Sequence, residues 1–441
     1  MKYKYSDVRV PIDKNNLSIV RNEELCIKCG SCKNVCKFNV GVYDNYDLDQ
    51  SKEAICIGCG QCTLVCPKKS ITEVMDYKKV KEIMSSDKIK VFQIAPAVRA
   101  SLGEEFGLDG VNVAGKIVSA LRKLGADYVF DTTFGADLTI MEEANEFVKR
   151  IKENDFMPMF TSCCPAWVKY VEIFYPEFIP NLSTCKSPIS MQGAIIKNYF
   201  SNVIGCKSDD IVSVAITPCT AKKSEIKRKE FNNDVDYVIT TREFALWLKE
   251  ENIDIKSLKS SKFDSLMATG TGAGVIFGNS GGVMEAAIRT VNNIMTKGND
   301  VLEFEELRGF GNVKEKEVKI GNKKLKLAVI NGTGDAKKIL DKLKNNEVYY
   351  DFVEVMACEG GCIAGGGQPR VHYPITAELK NKRKDCLFEL DDKSLIRNSY
   401  ENPDILKVYN DYLGEVGSEL SSKLLHTSYE DKSDLIREKV R

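Results

Sequence analysis

Glu354 to Pro369 reads EVMACEGGCIAGGGQP, two thiols separated by three residues and followed almost at once by three consecutive glycines. The C-x3-C spacing of Cys358 and Cys362 lets both sulfurs face one centre from a turn of backbone. Gly360, Gly361 and Gly365 to Gly367 carry no Cβ that would obstruct a bulky inorganic group. Five glycines beside two cysteines are read as a tight wrap around an iron–sulfur cofactor rather than as inert thiols next to a flexible loop.

The rest of the composition fits that reading. With 441 residues the chain has material for two to four domains and a sizeable core. Its 63 Lys plus Arg balance 63 Asp plus Glu, so neither nucleic acid nor an anionic membrane is expected as a partner. Sixteen cysteines are the anomaly, and twelve fall in short clusters. The opening residues MKYKYSDVRVPIDKNN have no apolar core segment and no twin arginine, so metal ligation in a reducing cytoplasm is expected over a disulfide framework. No run approaches the roughly 18 apolar residues of a membrane span. His372 and His426 are the only histidines, which excludes histidine-rich metal chemistry as the main theme.

After an irregular lead-in over 1–20, Cys26-x2-Cys29-x2-Cys32-x3-Cys36 recurs thirty residues on as Cys56-x2-Cys59-x2-Cys62-x3-Cys66, followed by Pro67. A zinc ribbon would place its two C-x2-C pairs farther apart. This spacing is instead that of a bacterial two-cluster ferredoxin, in which the fourth cysteine of each run serves the other cluster. Cys26, Cys29, Cys32 and Cys66 are therefore assigned to one 4Fe-4S cluster, and Cys56, Cys59, Cys62 and Cys36 to its neighbour. Lys37 stands where the second run has Pro67, which leaves ligation intact.

From about residue 88 short apolar runs alternate with amphipathic stretches, the rhythm of an α/β fold with a mixed or parallel sheet covered by helices. Strands are expected at 91–95, 128–131, 158–161, 211–216, 237–239, 325–330 and 352–356, and helices at 113–124, 137–153, 188–200, 241–251 and 282–296. Thr240-x-x-Glu243 reads as a capping box, and Gly321-Asn322 as a hairpin turn. The organisation expected is a ferredoxin-like domain over 21–78, a second domain over 88–416, and a polar surface tail over 417–441 with at most a short helix.

Three of these strands run into cysteines: Cys163 and Cys164 in PMFTSCCPAW, Cys219 in VAITPCTAKKSE, and Cys358 with Cys362 in FVEVMACEGGC. Loops at the carboxyl ends of strands in an open α/β sheet share a crevice, which brings four ligands and one spare thiol together. Adjacent cysteines diverge, so one of Cys163 and Cys164 should ligate and the other remain a free thiol able to pass protons. Glu143 and Glu146 share a helix face, a spacing that would continue a proton path, although on the residues alone they read as a solvated face. Lys222 and Lys223 have the same surface reading.

TSCCPAW, TPCTAKKSE and EVMACEGGCIAGGGQP, in this order and behind a double ferredoxin module, resemble the three signature segments of iron-iron hydrogenases over about 22–415. The resemblance implies a catalytic domain of two lobes, twisted sheets flanked by helices. It implies that Cys164, Cys219, Cys358 and Cys362 bind a 4Fe-4S cubane bridged to a two-iron subsite with carbonyl, cyanide and dithiolate ligands, the H-cluster. By the same match Cys163 is the thiol beside the dithiolate amine, Lys222 the donor to a cyanide, and Met356 a packing residue at the subsite. Ala95 and Pro96 in IAPAVR, with TTFGAD at 132–137, line the cofactor, and Glu143, Glu146 and Ser183 fall on the proton relay. Thr217 stands where many members carry Met, and Ile189 where Gln is common; the first departure bears on tuning and removes no ligand. Cys185, Cys206 and Cys386 match no ligand position and are expected to be ordinary buried thiols. The implied activity is interconversion of dihydrogen with protons and electrons, with ferredoxin as carrier and maturation proteins delivering the diiron subsite. A dihydrogen sensor and a non-catalytic iron–sulfur assembly factor are the related alternatives.

Overall fold

The computed structural model describes residues 8–51, 53–298, 302 and 304–436, so the first seven residues of the lead-in and the last five of the tail lie outside the described residues. Ten strands follow in chain order: β1 Ile19–Arg21, β2 Ile71–Glu73, β3 Ile89–Ile94, β4 Tyr128–Asp131, β5 Met159–Phe160, β6 Ile211–Thr217, β7 Tyr237–Thr240, β8 Val313–Ile320, β9 Lys323–Asn331 and β10 Phe352–Met356. β1 pairs with β2 in antiparallel register, Ile19 opposite Glu73, and closes the small cysteine-rich domain. That strand begins inside the stretch read as lead-in.

The larger part is built on two four-stranded sheets. In the first, β4-β3-β6-β7, every pair is parallel, with Ile94 opposite both Asp131 and Ile216. In the second, β5-β10-β9-β8, the first three strands are parallel and β8–β9 is the hairpin expected from Gly321-Asn322, with Gly321 at φ 57°. IVSVAIT in β6 and FVEVM in β10 are almost wholly buried, as parallel strands covered by helices on both faces must be. The architecture is mixed α/β, as expected. The three cysteine loops leave two different sheets, β5 and β10 in one and β6 in the other, so the crevice lies where the carboxyl ends of two sheets meet.

Helices form where caps and apolar spacing agree. Thr241–Glu250 begins at the expected capping box: the Thr240 hydroxyl accepts from the Glu243 amide at 3.1 Å, and the Glu243 carboxylate accepts from the Thr240 amide at 2.7 Å. The helix expected at 137–153 starts earlier, as Thr132–Glu153, because Asp131 ends β4 and caps it by accepting from the Thr133 amide at 3.0 Å. Two threonines and Gly135 hide that start in the sequence. Gly135 is needed there: a Cβ would lie 2.3 Å from the Pro188 carbonyl of the neighbouring helix, Pro188–Ile195. That helix continues through a wider π-type turn over Ile196–Phe200, which takes it to the expected end.

The segment from 417, expected as a surface tail, is docked. Its helix Glu419–Leu425 buries Leu425, and Cys185 and His426 form an antiparallel bridge. The Tyr429 hydroxyl donates to the Ser183 carbonyl at 2.9 Å, and Lys432 pairs with buried Glu172 at 2.8 Å. Its polar composition misleads because the charges are neutralised in pairs at the docking surface. No helix among the described residues is long and apolar enough to cross a membrane.

The glycines of 360–367 face protein more than open space. A Cβ would meet Phe310 from Gly360 at 2.4 Å, the Ser280 amide from Gly361 at 2.6 Å and the Pro218 carbonyl from Gly365 at 2.4 Å. From Gly366 it would lie 2.4 Å from the Cys59 carbonyl in the cysteine-rich domain. Close polypeptide contact therefore accounts for this run, with clearance for a cofactor confined to Gly361 and Gly365 on the cavity wall. Gly366→Ala should overpack the domain contact by about 1–3 kcal/mol. A lowered thermal midpoint is expected; a wild-type value would contradict this packing.

Candidate metal centre

Cys164, Cys219, Cys358 and Cys362 line one cavity of about 80 Å³, together with Cys163, Lys222, Ala95, Pro96, Thr217 and Met356. The expected cysteine ligands and their named neighbours thus line one cavity, while of the segment 132–137 only Thr132 and Ala136 reach it. Cys163 and Cys164 follow β5, Cys219 follows β6, Cys358 follows β10, and Ala95 and Pro96 follow β3. Pro188, Ile189, Ala136, Phe277 and Gly278 complete the lining. Phe277 and Gly278 were not singled out in the sequence; the signal was the run of six glycines over 270–282, where the Gly278 carbonyl accepts from the Ile363 amide at 3.0 Å.

The electrostatics separate the adjacent cysteines. Cys164 is the residue before helix Pro165–Phe174; burial raises its pKa, and backbone amides of Ala357, Trp167 and Ala166 directed at the sulfur pull it back. Cys219 is pushed up to about 11 by burial and by Cys164, with amides of Lys222 and Ala221 opposing. Cys358 and Cys362 are raised by burial and by neighbouring thiols. Cys163 is raised well above its ordinary value by burial and then by Glu143, which keeps it a protonated thiol. Four buried thiols on three loops, three of them raised by neighbouring thiols and two facing backbone amides, fit a positively charged inorganic core that would hold them as thiolates.

Lys222 is buried, with Nζ donating to the Cys163 carbonyl at 3.0 Å and pairing with Glu225 at 2.8 Å. It is not the surface lysine its bland reading implied. Lys223 is buried too, paired with Glu243 at 2.9 Å away from the cavity. Thr217 lines the cavity while its hydroxyl ties the Cys219 turn, donating to the Cys219 carbonyl at 3.1 Å and accepting from the Cys219 amide at 3.3 Å.

Beyond Cys163 the acidic residues run outward. Glu143 is fully buried and neither carboxylate oxygen takes a hydrogen bond of good geometry; burial first and the Glu146 charge second push it up to about 8, with the nearby Ser183 hydroxyl opposing. The Ser183 hydroxyl donates to Glu146 Oε2 at 2.9 Å, and Arg150 pairs with Glu146 Oε1 at 2.6 Å. Of the three cysteines expected as ordinary buried thiols, Cys185 is buried, whereas Cys206 and Cys386 are partly exposed.

In the cysteine-rich domain one cavity is lined by Cys26, Cys29, Cys32 and Cys66, and another by Cys36, Cys56, Cys59 and Cys62. These are the two interleaved foursomes expected from the spacing. The domain is clamped to the main cavity: the Thr220 hydroxyl donates to the Gly58 carbonyl at 2.6 Å and the Thr63 hydroxyl to the Gly366 carbonyl at 2.9 Å. Cys59 is among the nearest charges acting on Cys358, after Cys219.

Fold and site together define an iron–sulfur oxidoreductase with a dicluster module against a cysteine-lined catalytic cavity. Residues 88–366 match the family described as "Iron only hydrogenase large subunit, C-terminal domain", 377–432 "Iron hydrogenase small subunit", and 25–71 a 4Fe-4S dicluster domain. The chain is 40% identical to Iron hydrogenase 1 of Clostridium pasteurianum over 440 residues, covering 95% of this chain and 77% of that one. It is similar in structure to the [FeFe]-hydrogenase HydA1 of Chlamydomonas reinhardtii, with TM-score 0.72 and 37% identity over 81% of this chain and 99% of that one. A more distant relative is the cytosolic Fe-S cluster assembly factor narfl of Danio rerio, 30% identical over 372 residues, 79% of this chain and 88% of that one. The chain belongs to the iron-only hydrogenase family.

A buried acid with a raised pKa binds its proton more tightly folded than unfolded, so its contribution to stability falls as pH rises from about 4.5 to about 8. Glu143→Gln should therefore gain in thermal midpoint over wild type progressively between pH 5 and 8. A constant difference across that range would mean Glu143 is ordinarily ionised.

Proposed function

We propose that the chain is an iron-iron hydrogenase that interconverts dihydrogen with two protons and two electrons, with Cys164, Cys219, Cys358 and Cys362 as ligands of an H-cluster. That group, when bound, supplies the open iron site and bridgehead base at which dihydrogen is made or split. The residues of the chain hold it, keep water out and move protons. Ala95, Pro96, Ile189, Phe277 and Met356 give the cavity an apolar wall. Lys222, held by Glu225, would offer its ammonium to a cyanide of that group. Thr217 fixes the Cys219 turn.

The observation that carries the reading is a buried thiol, Cys163, on the cavity wall with a fully buried acid, Glu143, acting on it from behind. Cys163 Sγ gives or takes a proton at the cavity, and Glu143, protonated at neutral pH, exchanges it inward and outward. Ser183 Oγ passes it to Glu146 Oε2, and Arg150 holds that carboxylate near the surface. Cys36, Cys56, Cys59 and Cys62 would hold the cluster nearer the cavity, with Cys59 close to Cys358, and Cys26, Cys29, Cys32 and Cys66 the farther one; these clusters would supply the electron path. Exposed Cys29 sets the last cluster near an external carrier, for which ferredoxin is the proposed partner. The domain limits expected from the sequence, delivery of the diiron subsite by maturation proteins, and a cytoplasmic location belong to the same reading. Cys163 and Lys222, both on the wall, favour catalysis over the assembly-factor reading, which needs only cubane ligands.

The test separates the two adjacent cysteines. Cys164→Ala should fail to assemble a stable H-cluster. Cys163→Ala should keep the carbonyl and cyanide infrared bands and lose about 10²- to 10⁴-fold in dihydrogen evolution from reduced viologen, normalised to cofactor. Cys163→Asp should recover part of the rate with a changed pH profile. Near-normal turnover in fully loaded Cys163→Ala would remove the thiol from the route.

A further inference from the structure

Around Glu146, the outer carboxylate of the proposed route, sits a donor set whose other two members the route does not use. One ligand atom each from Glu146, Cys185 and His426 lies within 4.8 Å of the others. Three separate elements bring them together. The bridge between Cys185 and His426 sets thiol and imidazole side by side, and helix Thr132–Glu153 presents Glu146 to both, with Cys185 Sγ 3.9 Å from Glu146 Oε2. Glu142, one turn earlier on that helix, takes the His426 Nε2 at 3.2 Å. Glu142 also accepts from the Tyr409 hydroxyl at 2.5 Å and the Gly417 amide at 3.0 Å, so it is fixed in place. Nδ1 lies 2.7 Å from the Thr184 hydroxyl, whose own amide donates to Glu146.

Thiolate, imidazole and carboxylate are the donors of a borderline divalent cation, zinc above all. A carboxylate that holds the far nitrogen of the imidazole is the usual support of a metal-bound histidine, and Glu142 supplies it. Cys185 is buried and has no other use in the proposed mechanism, whereas the His426 side chain is 17% exposed and gives an ion a way in.

We propose that Glu146, Cys185 and His426 form a binding site for a zinc-type divalent cation, and that its occupancy interrupts proton exchange. The second half rests on the proton route proposed above. On binding, the Cys185 thiol releases its proton to solvent and its sulfur bonds the cation; His426 Nδ1 gives up its contact with the Thr184 hydroxyl to become a donor, and Glu146 Oε2 is the third. Oε2 is the oxygen that accepts the Ser183 hydroxyl, so the cation takes the lone pair the relay needs, while Oε1 keeps Arg150. The ion adds no redox step; it acts by occupying an acceptor.

The test is titration of the cluster-loaded protein with zinc chloride under anaerobic conditions, reading zinc per chain, proton release and dihydrogen evolution from reduced viologen. One zinc should bind, with an X-ray absorption edge giving one sulfur at about 2.3 Å and lighter donors at about 2.0–2.2 Å. Turnover should fall with the same midpoint and return on chelation. Cys185→Ser and His426→Gln should each retain the basal rate in the absence of zinc and weaken binding by at least about 10- to 100-fold. Equal zinc affinity in wild type and both variants would overturn the site. Zinc bound through Cys185 with unchanged turnover would overturn the blockade and show that protons leave without Glu146 Oε2, while the Cys163→Ala measurement would still decide the inner half of the route.

Discussion

Four cysteine sulfurs crowded into one buried cavity are the constraint on which the catalytic domain depends. Thiolates in a medium of low dielectric constant repel one another and lose their hydration, so each can be charged only if something positive stands between them. The chain answers with backbone amides at Cys164 and Cys219 and leaves the remainder to a bound core. The surrounding fold follows from the need to hold four sulfurs on three loops to one centre. Two sheets meet by their carboxyl ends, so the loops after β5, β6 and β10 reach inward from opposed supports that short turns keep rigid.

Much of this was legible in the sequence because its signals are local. The C-x2-C-x2-C-x3-C runs declared their interleaved pairing, and the cavities of the cysteine-rich domain repeat it. Tyr128–Asp131 and Phe352–Met356 begin on aromatic residues and keep the expected bounds, and Gly282–Thr296 keeps those of its apolar period. What was not legible depends on partners distant in sequence. Lys222 and Glu143 read as surface charges because burial is set by tertiary packing, and the roles proposed for them rest on the family resemblance. The start of Thr132–Glu153 was hidden because a cap and a close helix crossing outweigh the low propensity of threonine and glycine. The docking of the residues after 417 escaped notice for the same reason, since ion pairs such as Lys432 with Glu172 join residues far apart.

The glycines of 360–367 show how a correct conclusion can rest on an incomplete cause. Their density does mark the centre, yet most of the missing Cβ atoms would strike Phe310, Ser280, Pro218 or Cys59 rather than a cofactor. The loop is squeezed between the glycine run at 270–282 and the cysteine-rich domain, and that compression brings Cys59 into the field of Cys358. In the proposed mechanism electron supply and ligand geometry therefore share one piece of backbone. The proposed proton route uses different neighbours, since Glu143 acts on Cys163, so each path would be open to change with the other left in place.

The central claim is that this cavity holds a diiron subsite in addition to a cubane. An infrared spectrum of the fully matured protein tests it most directly, because iron-bound carbonyl and cyanide absorb where polypeptide does not. The expected result is a set of sharp carbonyl and cyanide bands that shift when the sample is reduced under dihydrogen. A protein whose iron is accounted for by cubanes alone, with no such bands after maturation, would contradict it.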